Sequence, residues 1–116
     1  MIKTAAEFIA EAQAQINCLD VNSAKLLYDE SDNAVIIDVR EADSAAQSKL
    51  DCSINISRGL IEMKAPKHCP DHETVIFTHC AGGGRASLTA LTLQQMGYKN
   101  VYAITATYED IKKVFG

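Results

Sequence analysis

Apolar residues along this chain fall either at three- and four-residue steps or in short runs, and the change from one to the other marks its elements. Ala5, Phe8, Ile9, Ala12 and Ile16 follow three- and four-residue steps, which predicts an amphipathic helix capped by Thr4 with Glu7 three residues on. Packing on the core is the default for its apolar stripe, and packing against another subunit would also account for it. An extended piece around Leu19–Val21 follows, then a helix through Tyr28 with Asn22 or Ser23 as cap, and a polar turn over 29–33. The runs Ala34–Val39, Ser53–Ile56, Val75–Thr78 and Val101–Ile104 are short, bounded by polar or glycine-bearing segments and separated by helical stretches. That alternation predicts an α/β architecture, with a mainly parallel central sheet and helices on both faces. Pro66 and Pro70 mark a loop ahead of the Val75 run. Ligands of such sheets bind outside the carboxyl ends of the strands, where Asp38, Arg40 and Cys80 all fall.

The richest of these strand ends is His79-Cys80-Ala81-Gly82-Gly83-Gly84-Arg85-Ala86-Ser87, where a buried run meets three glycines and an arginine. Helical spacing resumes from Ala86 to Met96, so the glycines form a tight strand-to-helix turn with Cys80 facing a helix N-terminus. Free amides of the turn and of the first helical turn converge there and offer partial positive charge. A helix N-terminus and a neighbouring cation favour thiolate over thiol, so the pattern predicts a nucleophilic sulfur. Glycine allows the backbone to approach a ligand and turn several amides inward. Arg85 is placed to turn its guanidinium toward a bound anion. His79 is adjacent in sequence, yet neighbouring strand residues point to opposite faces, so it is read as a strand-end histidine rather than a base for Cys80.

Cys80 through Ser87 resembles the active-site loop of the rhodanese (sulfurtransferase) family, a cysteine followed by a small-residue loop and an arginine. Val35-Ile36-Ile37-Asp38-Val39-Arg40-Glu41 resembles that family's first core strand, Ile54–Gly59 the segment after the next strand, and Leu93–Val101 the helix-turn-strand that follows the loop. The resemblance implies a single rhodanese-like domain over 19–116, with residues 1–18 as an N-terminal helical extension packed on it. It implies sulfur transfer from thiosulfate or a related small-molecule donor to a thiol or cyanide acceptor through a Cys80 persulfide, a protein acceptor being a further option. Ala81, Gly82, Gly83, Gly84, Arg85 and Arg58 would bind substrate, Asp38 and Arg40 would brace neighbouring loops, and no metal or organic cofactor is required. A persulfide carrier or redox-sensing module is the alternative. A phosphatase ranks below it, because four residues separate Cys80 from Arg85 where the phosphatase branch resembles a loop one residue longer. Two segments depart from the family pattern. Ser48–Ser53 stands where a Gly-His-Ile-Pro-Gly-Ala run is usual, and Ala106-Thr107-Tyr108 stands where two glycines and an aromatic are usual, with Ile111 at a tryptophan position.

At 116 residues the chain fits one domain, and its net charge of −4 comes without a basic stripe or aromatic cluster, which argues against nucleic acid as partner. No apolar run reaches bilayer length and Glu7 and Glu11 interrupt the N-terminal pattern, so membrane association and a signal peptide are not expected, and a cytoplasmic location is. The four cysteines are then read as thiols. Lys67-His68-Cys69-Pro70-Asp71-His72 holds metal-ligand types, but a tetrahedral site needs a matching second half, and a polar loop before a strand is the simpler account.

Overall fold

The computed structural model describes residues 1–116 and contains five strands in one sheet: β1 (Asn17–Leu19), β2 (Ala34–Asp38), β3 (Ser53–Asn55), β4 (Val75–His79) and β5 (Asn100–Ile104). Their order is β1-β5-β4-β2-β3, and every pairing is parallel. Six α-helices connect or flank them: α1 (Ala5–Gln13), α2 (Val21–Glu30), α3 (Ala42–Gln47), α4 (Ile61–His68), α5 (Gly84–Met96) and α6 (Tyr108–Phe115). A 3-10 turn at Arg58–Leu60 leads into α4.

Strand alternation divides the core in two. Ile37, Val39, Ile76, Cys80, Val101 and Ala103 lie on one face with Ile61 and Ala65 of α4 and Ala86, Ala90 and Leu93 of α5. Ile36, Phe77 and Ile104 lie on the other face with Ala24 of α2 and Ile111 of α6. Both sides of the sheet are thus covered, which a parallel sheet of near-continuous apolar strands requires. The same period of two puts Cys80 on the α5 face and His79 on the α6 face.

Several boundaries differ from the sequence expectations. β1 lies at Asn17–Leu19 and Val21 already belongs to α2, because Asp20, not Asn22 or Ser23, caps that helix by accepting from the Ser23 amide at 2.7 Å. α2 runs on to Glu30, shortening the polar turn, and α5 begins at Gly84 rather than Ala86. Pro66 is not in a loop: it sits inside α4, which also takes Lys67 and His68 out of the expected polar loop. A proline in a helix removes the bond to residue i−4. Here Ile61 and Ala65 are fully buried, and their packing on the sheet holds the remaining two residues of the helix in place.

The predicted cap of α1 is present as a reciprocal pair: the Glu7 amide donates to Thr4 Oγ1 at 3.1 Å, and the Thr4 amide donates to Glu7 Oε1 at 3.2 Å. α1 packs against α5, yet only Ala12 is buried and Phe8 remains 56 % exposed. No helix is long and apolar enough to cross a membrane.

Candidate active site

Cys80 leaves β4 directly into the glycine turn. Its Sγ accepts hydrogen bonds from the Gly83 amide at 3.1 Å and the Ala86 amide at 3.4 Å, and the side chain is 1 % exposed. The convergence of amides expected from sequence is therefore present, built from the turn and the first turn of α5. Thr78, two residues back on the same face of β4, donates to the Ala86 carbonyl at 2.8 Å and ties that helical turn to the strand. On the other side of the turn, the Ala81 carbonyl accepts from the Tyr108 amide at 3.0 Å.

The three glycines do three different things. Gly83 has φ +100°, a region side chains avoid, and an added Cβ would stand 3.2 Å from Thr105 Cα. Gly84 has an ordinary φ but lies under α1, where an added Cβ would meet Ile9 Cδ1 at 2.8 Å. Gly82 faces open space, so positive φ is needed at one glycine rather than at all three. A contrast follows: Gly83→Ala should cost about 1–3 kcal/mol and slow Cys80 alkylation severalfold, because the amide aimed at Sγ belongs to the strained residue. Gly82→Ala should leave the unfolding midpoint nearly unchanged. Equal effects on denaturation and on iodoacetamide reactivity would contradict this division of roles.

Arg85 is half-buried at the start of α5 and pairs with no carboxylate. Arg58 is also half-buried. Its amide donates to the Val39 carbonyl at 3.2 Å, while its Nε is buried without a partner. The 3-10 turn that carries it packs against α5.

Asp38 and Arg40 form a brace, as the sequence suggested. Arg40 Nε lies 3.0 Å and Nη2 2.8 Å from the two Asp38 oxygens, and Nη2 also donates to the Ser48 carbonyl at 2.6 Å. Burial pushes the Asp38 carboxyl up, but hydrogen bonds from the Arg40 side chain and amide, with the nearby positive charge, bring it net below its ordinary value. Asn55 Nδ2 donates to the carbonyls of both residues, at 2.9 and 3.0 Å, which joins β3 to the same brace. This explains how the unusual 48–53 segment closes without the family's glycines: Arg40 holds Ser48 and Leu50 is fully buried.

Tyr108 completes the brace, a role sequence reasoning left unassigned. The Arg40 guanidinium lies 4.0 Å from the centroid of its ring, its hydroxyl shares a 2.7 Å hydrogen bond with Ser48 Oγ, and its ring stacks against His79 at 6.0 Å and 24°. The signal was the lone aromatic at the start of the last helix. Ile111, at the tryptophan position, is fully buried with Phe77 and Leu50.

His79 is fully buried beside Asp38, its register partner, and neither ring nitrogen has a partner. Burial pushes its pKa below the ordinary 6.5, with the Asp38 charge opposing. The unfolded chain then binds a proton that the folded one refuses. Stability contributed here is full above pH ~6.5 and falls by about 1.4 kcal/mol per pH unit below it, until the lowered folded pKa is reached. Urea midpoints taken on His79→Phe should lose that slope while the wild type keeps it. Asp38 acts in a lower window, since its contribution is present above ~3.9 and is lost as pH falls through the folded value.

The two cavities lie away from Cys80. One, of about 220 Å³, is lined by Cys69, His72 and Tyr98 among others, and the second, of about 430 Å³, by Asp20 and Lys113 among others. Cys18 and Cys52 are exposed free thiols and Cys69 is a buried one, whose burial pushes its thiol up.

Together these features define a parallel α/β domain whose cysteine ends a central strand inside an amide cradle at a helix N-terminus. The chain belongs to the rhodanese-like domain family, whose family model matches residues 20–113. Among solved structures it is similar to a protein of unknown function from Rhodopseudomonas palustris, described as a possible tyrosine phosphatase, at 25 % identity and TM-score 0.85, covering 100 % of this chain and 94 % of that one. It is also similar to a rhodanese with anions from E. coli at 24 % identity and TM-score 0.62, covering 67 % of this chain and 91 % of that one. A rhodanese-like domain from Anabaena sp. matches at 16 % identity and TM-score 0.70, over 84 % of this chain and 74 % of that one. The last two likenesses bear on fold alone. No match was found among curated proteins.

Proposed function

We propose that the protein is a sulfurtransferase working through a persulfide on Cys80. The single observation that carries this reading is the pair of main-chain amides on Cys80 Sγ, at 3.1 and 3.4 Å, with unpaired Arg85 at the same helix start. Thiolate sulfur attacks the outer sulfur of thiosulfate, the Sγ–S bond forms, the donor's S–S bond breaks, and sulfite leaves with the electron pair. An acceptor such as cyanide or a thiolate then attacks the outer sulfur and returns Cys80 as thiolate. Two displacements through a covalent intermediate give ping-pong kinetics, and the amides hold anionic sulfur through both. Ala81 and Gly82 form the exposed rim of the turn, and Arg85 and Arg58 supply the cationic groups for an anionic donor.

The test is intact-mass spectrometry after thiosulfate treatment, with Cys80 as the expected carrier of one added sulfur atom. An unchanged mass defeats the proposal.

The departures from the family pattern at Ser48–Ser53 and Ala106–Tyr108, which alter the surroundings of the turn but spare it, favour a second reading, a carrier that holds persulfide and turns over free thiosulfate slowly. Persulfide loading with negligible thiosulfate:cyanide turnover would select it. The likeness to a possible phosphatase supports a third. The four-residue spacing from Cys80 to Arg85 weighs against that one, and hydrolysis of an aryl phosphate without sulfur transfer would establish it.

A further inference from the structure

The segment that matches the family begins at residue 20, so α1 lies ahead of it, yet α1 is seated on the cysteine turn at two points. Ile9 occupies the space over Gly84, its Cδ1 being 2.8 Å from where a Cβ would stand. Gln13, one helical turn further on, donates through Nε2 to Ser87 Oγ at 3.1 Å. Ser87 is fully buried, and its hydroxyl in turn donates to the Gly83 carbonyl at 2.6 Å, alongside its own amide at 3.0 Å.

A directed chain of hydrogen bonds thus runs from α1 to the peptide between Gly83 and Gly84. Peptide planarity makes the C=O and N–H of that unit antiparallel, so pinning the Gly83 oxygen down the helix aims the Gly84 amide outward toward the mouth of the cradle. It also fixes the rotation of Gly83, whose own amide meets Cys80 Sγ. A hydroxyl that accepts a hydrogen bond donates a stronger one, so Gln13 reinforces the contact it does not itself make.

We infer that α1 is part of the sulfur site, and that Gln13 is a positioning residue acting through Ser87 on the glycine turn. The inference rests on the sulfur-transfer reading for its purpose, and on geometry alone for its mechanism. Gln13 is exposed apart from this one bond, so replacing it leaves the core intact.

The experiment measures the second-order rate of iodoacetamide alkylation at Cys80, resolved by peptide mass spectrometry, together with the urea midpoint of each variant. Gln13→Met keeps the stem and removes the donor, and Gln13→Glu keeps the shape and replaces the donor with an acceptor. Both should slow alkylation about 3- to 10-fold with little change in midpoint. Ser87→Ala should slow it at least as much, and the Gln13→Met/Ser87→Ala protein should react within about twofold of Ser87→Ala alone, because one chain of bonds is broken twice. Wild-type rates in both Gln13 variants, or effects that multiply in the double variant, overturn the inference. Failure of the sulfur-transfer reading looks different: the wild type would acquire no sulfur from thiosulfate, whatever the alkylation rates of the variants.

Discussion

Cys80→Ser will acquire no sulfur from thiosulfate, although Cys18, Cys52 and Cys69 remain. The reason is environmental rather than a matter of counting thiols. Cys69 is buried, and burial pushes its thiol up, away from the reactive anion. Cys18 and Cys52 are open to solvent, but neither Sγ receives a main-chain hydrogen bond, whereas Cys80 receives two. A serine oxygen in the cradle is a far weaker nucleophile without an adjacent base, and His79 is directed to the opposite face of β4. Intact mass and sulfite release should therefore both fall to background in this variant. Sulfur retained on Cys18, Cys52 or Cys69 at wild-type stoichiometry would remove the cradle from the explanation.

The largest effect on stability is expected at the brace. Arg40→Met preserves most of the stem but leaves the Asp38 carboxylate fully buried without its guanidinium. Removing one partner of a buried pair costs about 3–5 kcal/mol, against a total of roughly 5–15 kcal/mol for a domain, so the midpoint of thermal unfolding should drop by on the order of 10–20 °C. The loss should shrink as pH falls, because Asp38 without Arg40 takes up a proton and ceases to be a buried charge. Changing both residues, Asp38→Asn with Arg40→Met, should recover most of the stability, since buried pairs contribute little net once desolvation is counted. Arg40 also holds Ser48 and the Tyr108 ring, and the Tyr108 amide holds Ala81, so the single variant should react more slowly at Cys80 as well. Unfolding of Arg40→Met at the wild-type temperature would show that the pair is peripheral.

Local order was written in short-range patterns. Short apolar runs bounded by polar or glycine-bearing segments named four of the five strands, the Thr4 and Glu7 spacing named the start of α1, and the glycine turn named the helix N-terminus that faces Cys80. These succeed because each depends on residues within one or two turns of one another. The opposite-face argument for His79 succeeds for the same reason, strand alternation being a property of the backbone alone.

What failed depended on partners distant in sequence. Pro66 signals a loop by its own chemistry, but Ile61 and Ala65 pack on the sheet and keep α4 helical through it. Three glycines read as one conformational device, yet Gly84 is small because Ile9, far earlier in the chain, lies on it, and Gly83 also because Thr105 passes close by.

From sequence alone came the parallel α/β class, the place of Cys80 at a strand end and the amides that converge on it, since strand-turn-helix geometry follows from local backbone preference. The tertiary structure decided that Tyr108 meets Arg40 and His79, that Ser87 links Gln13 to the turn, and that Arg58 keeps a free Nε beside α5. The contacts of Tyr108 with Arg40 and His79 and the bond from Gln13 to Ser87 join residues 29 to 74 positions apart, which the order of strands in the sheet brings together.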